Sequence, residues 1–405
     1  MSNRLPKTAS NTLPDAIDRA GLGISPASVE DFRQLARKRL PRQFFDYIDG
    51  GSYQELTARE NVEAYHRTSL RQRVLKDVSQ IDTRCELLGE SLALPLVLAP
   101  VGLAGCYARR GEVQAARAAQ SAKVPFCLST VSICSIDEVH QATQAAFWFQ
   151  LYVIRDRAFC IELLNKARNA GVNTLVFTVD LPVVGDRLRD VRNGLNGNGG
   201  LRGGLKRAVD ILRHPRWIMD VAIQGKPLMF GNLSNAVPDA RSLTDFKAWV
   251  DAQFDPGMTW DNLGWIRENW DGQLIIKGIM DTEDAKHALH VGADGIVISN
   301  HGGRQLDGAP ATLDVLPEIK ATVKDQCAVL IDGGIRSGAD ILRALALGAD
   351  ACLIGRAWAF ALAAQGQQGV ESMLDMLTRE LRVAMALTGC TRLADIDEHV
   401  LRRAV

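Results

Sequence analysis

The sequence predicts an α/β chain built as a single (β/α)8 TIM barrel, with an N-terminal helical segment ahead of it and a long insertion after strand 4. Three observations predict it. Eight short apolar runs recur along the 405 residues, and most are continuous rather than alternating, as parallel strands covered on both faces require. Helix-patterned stretches separate them, and successive runs start mostly about 22 to 33 residues apart, the size of a βα unit. The C-terminal ends of all eight runs carry small or polar residues, and that is the end where barrels of this kind place their chemistry. An open doubly wound sheet is the alternative, but the Gly-rich loop it needs after its first strand is missing.

Composition agrees with a large buried core. Hydrophobic residues make up 47% and charged residues 23%, values of an ordinary globular chain. Lys and Arg number 47 and Asp and Glu 47, so the net charge is zero, which argues against a strongly basic nucleic-acid binder. No run reaches eighteen apolar residues, the length of a membrane-spanning helix. The eight cysteines show neither C-x-x-C nor zinc spacing, so no metal site and no disulfide framework is expected; Cys352, inside an apolar run, reads as a buried inert thiol.

In chain order, residues 1–26 are polar with scattered Pro and Gly and no apolar leader, and read as a flexible tail of a cytoplasmic protein. Residues 27–405 form the barrel domain. Ser28–Leu40 has the pattern of a helix, with Ser28 as cap and Asp31 three residues on, and it runs into Pro41–Gly51. The eight runs are Pro95–Pro100, Pro125–Thr130, Phe147–Val153, Thr174–Asp180, Gln273–Ile279, Gly295–Asn300, Ala328–Gly333 and Ala351–Arg356. Gly111–Ala122, Ala339–Leu347 and Gly369–Leu387 carry helix patterns. About a hundred residues separate the starts of the fourth and fifth runs, so Leu181–Asp271 holds an insertion, at about 188–265.

Polar groups at strand ends interrupt apolar runs and need a reason. The first run ends in Pro100-Val101-Gly102, the second in Ser129-Thr130, and the third carries Gln150 and Tyr152. The fourth ends in Thr178-Val179-Asp180 with Arg187 after it, and the fifth contains Lys277. The sixth ends in Ser299-Asn300-His301-Gly302-Gly303-Arg304, the seventh in Asp332-Gly333-Gly334-Ile335-Arg336, the eighth in Gly355-Arg356. The Gly-rich ends of the last two runs, with Arg336 and Arg356 beside them, have the makings of a phosphate site. Lys277 in a strand needs an electron-rich partner, either a flavin ring or an anionic substrate.

Of seven histidines, only His301 stands at a strand end in a Gly-rich turn. Asp180 is placed to orient its imidazole and raise its pKa, which makes a general base with an orienting carboxylate. Arg187 and Arg304 suit a small carboxylate, since a guanidinium donates bidentately. With Tyr47 and Tyr152 these residues describe a pocket for a small hydroxylated anion.

The string Ser299–Asp307 resembles the signature of the FMN-dependent L-2-hydroxy acid dehydrogenases and oxidases. The resemblance covers roughly residues 28 to 400. It includes Asp46-Tyr47, Phe149-Gln150-Leu151-Tyr152, Thr178-Val179-Asp180, Lys277-Gly278 and Asp332–Arg336. Within the family, Ala99–Gly111, Leu128–Ile133 and the basic insertion are most similar to the bacterial quinone-linked L-lactate dehydrogenases. The resemblance implies FMN as cofactor. Pro100, Val101, Gly102, Ser129, Gln150, Thr178 and Lys277 would hold its ring, with Lys277 stabilising the reduced form. Asp332, Gly333, Gly334, Arg336, Gly355 and Arg356 would surround its phosphate.

It also implies that Tyr47, Arg187 and Arg304 hold the carboxylate of a 2-hydroxy acid such as L-lactate. Tyr152 would bond the substrate's oxygens, and His301, paired with Asp180, would accept a proton. That proton comes from the hydroxyl if the α-hydrogen leaves as hydride, and from carbon if it leaves as a proton.

Val131 stands where the glycolate-oxidising branch has Trp, Val184 replaces a larger Leu, and Gly102 is shared with the mandelate branch. A roomy pocket is therefore expected, with lactate first and mandelate second. No haem domain is expected ahead of the barrel, so electrons leave to a quinone, to oxygen or to another protein. An isomerase on a similar barrel would share the phosphate motif, but not Tyr47 and the His301 turn. A non-catalytic scaffold leaves the eight polar ends unexplained.

A homotetramer is expected from the resemblance, as is a peripheral place on the cytoplasmic side of the inner membrane. The insertion supplies the membrane contact on this reading. Between Arg192 and Lys226 seven Lys and Arg stand against Asp210 and Asp220, interleaved with Leu205, Val209, Ile211, Leu212, Trp217, Ile218, Met219, Val221 and Ile223. The same stretch also has the makings of a lid packed on the barrel.

Overall fold

The computed structural model describes residues 25–195, 200–234 and 252–402, so most of the expected tail lies outside it. Three helices come first: Val29–Arg39, Arg42–Asp49 and Leu56–Arg67. The first begins where Ser28 accepts a hydrogen bond from the Asp31 amide at 3.2 Å, and it buries Val29, Phe32, Leu35 and Ala36. An antiparallel hairpin follows, β1 (Cys85–Leu87) with β2 (Glu90–Leu92). No expectation covered it, because three-residue strands carry too little periodicity to be read.

The barrel strands are β3 (Leu96–Leu98), β4 (Cys127–Ser129), β5 (Trp148–Tyr152), β6 (Thr174–Thr178), β7 (Gln273–Ile279), β8 (Gly295–Ile298), β9 (Ala328–Ile331) and β10 (Ala351–Ile354). Each falls inside one of the eight apolar runs. Neighbours pair in parallel in the order β3-β10-β9-β8-β7-β6-β5-β4. A parallel bridge between Leu98 and Phe126, with the Leu98 amide donating to Pro125 O at 2.9 Å, brings β3 and β4 together and closes the ring.

Alternation along each strand sorts the core into two layers. Leu96, Leu98, Phe149, Leu151, Ile296 and Ile298 face the outer helices. Val97, Cys127, Trp148, Val176, Ile275, Val297, Leu330 and Leu353 fill the barrel interior. Leu87 and Leu92 of the hairpin join that interior cluster, and Trp148 donates its indole N–H to Glu90 Oε1 at 3.1 Å. The hairpin therefore stoppers the N-terminal mouth and leaves the C-terminal mouth for chemistry. The long helix Arg356–Thr388 is broken at Gln365 and Gly366, and Gly366 takes φ +64°, so the helix expected from Gly369 is its second half.

The segment after β6 forms helices Leu188–Asn193 and Gly200–Leu212, a turn Pro215–Trp217 and a π-helix Ile218–Ile223. Trp217, expected as a membrane-facing residue, is instead packed inside. It is 5% exposed, stacks on Phe44 with centroids 5.1 Å apart, and donates its indole N–H to Cys106 O at 2.8 Å. Val221 is buried with it. The outer side of the same segment exposes Leu205, Val209, Leu212, Met219 and Ile223. One side of the segment is thus packed on the barrel, and the other is exposed. Among the described residues no helix is long and apolar enough to cross a membrane.

Candidate active site

A cavity opens at the C-terminal ends of β3–β10. The helix Arg42–Asp49 bounds it on one side, and Phe230 and Phe254 approach it from the insertion. All the expected site residues line it except Ser129 and Asp180. Those two stand behind the lining and hold residues that reach it. Ser129 Oγ donates to Gln150 Oε1 at 3.0 Å, and Asp180 lies against His301.

His301 sits just past β8 in a turn with φ +57°, followed by Gly302 and Gly303, also at positive φ. Side chains rarely take this conformation, which costs on the order of 1 kcal/mol or more. The His301 amide donates to Ser299 Oγ at 3.0 Å, and the Gly303 amide to Asn300 Oδ1 at 3.1 Å. His301 Nδ1 is 2.9 Å from Asp180 Oδ1 and 3.1 Å from Oδ2. The carboxylate accepts the Nδ1 proton, which leaves Nε2 as the basic nitrogen.

Burial lowers the imidazole pKa, and Lys277 and Arg304 add to this, while Asp180 pulls it up. The net direction is down, opposite to the expectation from Asp180 alone. Burial also works against the Asp180 carboxylate, but His301 and Lys277 outweigh it and hold its pKa below the usual value. The pair therefore rests as neutral imidazole and ionised carboxylate, ready to accept a proton.

Two arginines flank the ring of Tyr47. The guanidinium carbon of Arg304 is 4.7 Å from the ring centre and that of Arg187 is 5.5 Å. Arg304 Nη1 donates to Tyr47 O at 2.6 Å and to Gly50 O at 3.1 Å, so the N-terminal segment sets its orientation. Arg187 lies 4.0 Å from Asp190, and its Nε has no partner among the described residues. Burial, then repulsion from Arg187, lowers the pKa of Arg304. Two buried cations that repel each other are the setting in which a small carboxylate is held.

The floor of the cavity fits a flavin. Gln150 turns its Oε1 to the Ser129 hydroxyl and to the Thr130 amide at 3.3 Å, and its Nε2 is buried with no partner among the described residues. Thr178 Oγ1 and Asp332 Oδ1 are likewise buried without partners among the described residues. Such atoms are costly unless a bound group with donors and acceptors meets them. Lys277 Nζ donates to Ser299 Oγ at 2.7 Å and pairs with Asp332 Oδ2 at 2.9 Å. Burial works against this ammonium, but Asp332 and Asp180 outweigh it and its pKa is raised. Asp332, expected near the phosphate, thus serves as the counter-ion of Lys277.

The phosphate end fits as well. Gly333 and Gly334 take φ +90° and +86°, and a Cβ on Gly334 would lie 1.9 Å from Asn61 O, so only glycine serves there. Arg336 and Arg356 make no ion pair among the described residues. Burial lowers both, Arg356 to about 9 with Arg304 and Arg336 contributing. A buried phosphate would relieve that repulsion.

Several lining residues escaped the sequence reading. Tyr107 donates its hydroxyl to Gly102 O at 2.9 Å, and its place in a Gly-rich turn after β3 was the available signal. Phe254 packs edge-on against Tyr152 at 5.6 Å. It comes from the far end of the insertion, and nothing local marks it. The expected room beside Gly102 is already filled: a Cβ there would meet Val131 Cγ2 at 2.8 Å.

A family model described as FMN-dependent dehydrogenase matches residues 36–403. An L-lactate dehydrogenase of Caulobacter vibrioides (strain NA1000 / CB15N) is 53% identical over 379 residues, 94% of this chain and 98% of the relative. An L-lactate dehydrogenase of Chromohalobacter salexigens is 53% identical over 371 residues, 92% and 94% of the two chains. Among solved structures, that of the monotopic membrane protein (S)-mandelate dehydrogenase aligns with TM-score 0.88 and 36% identity, covering 94% of this chain and 100% of that one. A mandelate oxidase aligns with TM-score 0.79 and 38% identity, covering 94% and 99%.

Proposed function

We propose that this chain, which belongs to the FMN-dependent dehydrogenase family, oxidises L-lactate to pyruvate and passes the electrons to a membrane quinone. It is an FMN-dependent oxidoreductase acting on the CH–OH group of a 2-hydroxy acid. The observation that carries the reading is the His301–Asp180 pair at 2.9 Å, beside a cavity that Arg187 and Arg304 both line. Lactate is favoured over mandelate by the L-lactate dehydrogenases at 53% identity and by Val131, which occupies the space beside Gly102.

Bound FMN supplies the two-electron acceptor. Arg187 and Arg304 bind the substrate carboxylate, with the ring of Tyr47 beside both guanidiniums. Tyr152, whose phenol burial keeps protonated, orients the substrate oxygens. His301 accepts the proton at Nε2, and Asp180 stabilises the imidazolium that results. Gln150, Thr178 and Lys277 would hold the ring, and Gly333, Gly334, Arg336 and Arg356 the phosphate.

The exposed side of the insertion docks the enzyme, as a homo-oligomer, on the cytoplasmic membrane face. Its apolar residues Leu205, Leu212, Met219 and Ile223 support this, as does the likeness to a monotopic membrane protein. The test is anaerobic bleaching of the yellow protein by L-lactate, D-lactate, glycolate and mandelate, followed by reoxidation with a quinone or with oxygen. L-lactate should bleach fastest and the quinone should restore the colour without peroxide. Faster bleaching by mandelate, or stoichiometric peroxide, would replace this reading with a mandelate-type dehydrogenase or an oxidase.

A further inference from the structure

Tyr47 and Arg187 of the carboxylate clamp come from segments 140 positions apart, and two residues beyond each of them the segments are joined. Asp49 follows Tyr47 at the end of the helix Arg42–Asp49, and Arg189 follows Arg187 at the start of the helix Leu188–Asn193. Arg189 Nη1 donates to Asp49 Oδ2 at 2.7 Å, and Nη2 to Glu55 Oε2 at 2.5 Å. Asp49 is also held from its other side: Arg33 Nε donates to Oδ1 at 2.5 Å and Nη2 to Oδ2 at 3.0 Å. Its side chain is 6% exposed, and burial is outweighed by the two guanidiniums, which keep it ionised.

The same two segments meet again where Asn193 Nδ2 donates to Asp46 Oδ2 at 3.2 Å and the Tyr53 amide to Asp186 O at 2.9 Å. Neither Asp49 nor Arg189 lines the cavity. Tyr47 and Arg187 themselves meet in a ring–cation contact at 5.5 Å.

We infer that Asp49, through Arg189, is a positioning residue that holds Arg187 against Tyr47 at the separation the substrate carboxylate requires. The inference rests on the clamp reading above. A small displacement of one arm of a bidentate site weakens binding while leaving the proton acceptor and the flavin floor where they are. Arg33 anchors the same carboxylate from the N-terminal helix, away from Arg187. It contributes stability without setting the clamp.

The experiment uses the flavin-loaded holoenzyme and measures KM for L-lactate, kcat with a soluble dye, and thermal midpoint. Arg189→Gln should raise KM about tenfold with kcat changed less than about threefold and the flavin spectrum unaltered. Arg189→Lys, which keeps the charge, should recover part of the loss. Asp49→Asn should raise KM as Arg189→Gln does, and the double variant should be no worse than either. Arg33→Gln should lower the midpoint and leave KM alone.

An unchanged KM in Arg189→Gln, or a KM in Arg33→Gln that rises equally, overturns the inference. Arg187→Lys separates the two claims. If it raises KM while Arg189→Gln does not, only the positioning role falls. If it leaves KM unchanged, the clamp reading falls and this inference with it.

Discussion

Lys277 Nζ and Asp332 Oδ2 lie 2.9 Å apart in the lining of the cavity, an ion pair between β7 and the residue after β9 with both side chains nearly buried. Removing one partner leaves the other charge uncompensated. Lys277→Met should cost about 3–5 kcal/mol of stability in urea unfolding and weaken cofactor retention. Lys277→Met/Asp332→Leu should recover part of that stability. A single variant as stable as the double would show that the pair is solvated in the folded state.

The pH dependence follows from the lowered His301 pKa. Substrate oxidation needs neutral imidazole, so the acid limb of kcat/KM should fall below 6.5, the ordinary histidine value. Stability carries the same sign. The unfolded chain takes up the proton first, so the contribution is fully present above 6.5 and is lost as pH falls through the folded value. Asp180→Asn removes the group that raises His301, so the limb should move further to acid as the rate falls. A pH profile measured with a soluble dye checks this, and a limb at or above 6.5 would mean that Asp180 outweighs burial.

Gly102→Ala places a methyl 2.8 Å from Val131 Cγ2 and 3.6 Å from Tyr47 Oη. Overpacking at such a contact costs about 1–3 kcal/mol, and here it also presses on the clamp. We expect kcat/KM for L-lactate to fall about tenfold and Val131→Ala in the same chain to restore most of it. Steady-state kinetics of the two variants decide, and full activity in Gly102→Ala alone would show that the turn yields.

Membrane docking is tested on the exposed side chains, because cutting out the whole segment would also remove Trp217 from the core. Leu205→Glu, Leu212→Glu and Ile223→Glu together should release the protein from anionic vesicles, with dye reduction intact. Sedimentation with the vesicles unchanged would place the contact elsewhere.

The sequence carried the barrel because covered parallel strands are continuous apolar runs, and each of the eight was visible as one. It carried the cavity lining because polar residues at strand ends have no structural reason to be there. Four kinds of feature were less legible. The hairpin β1–β2 was too short to show a period. Trp217 looked like a surface residue among basic neighbours, and only the packing of Phe44 against it gives its true place. The direction of the His301 pKa depends on burial, which a carboxylate 121 positions away in the sequence does not reveal. Asp49 and Arg189 are ordinary charges in the sequence, and their relation exists only where the chain brings them together.

The central claim is that His301 takes the substrate proton, and rapid anaerobic mixing of the holoenzyme with L-lactate tests it most directly. His301→Gln should keep its flavin spectrum and bleach slower than the wild type by about two to four orders of magnitude. Bleaching at a near wild-type rate in that variant would contradict the account.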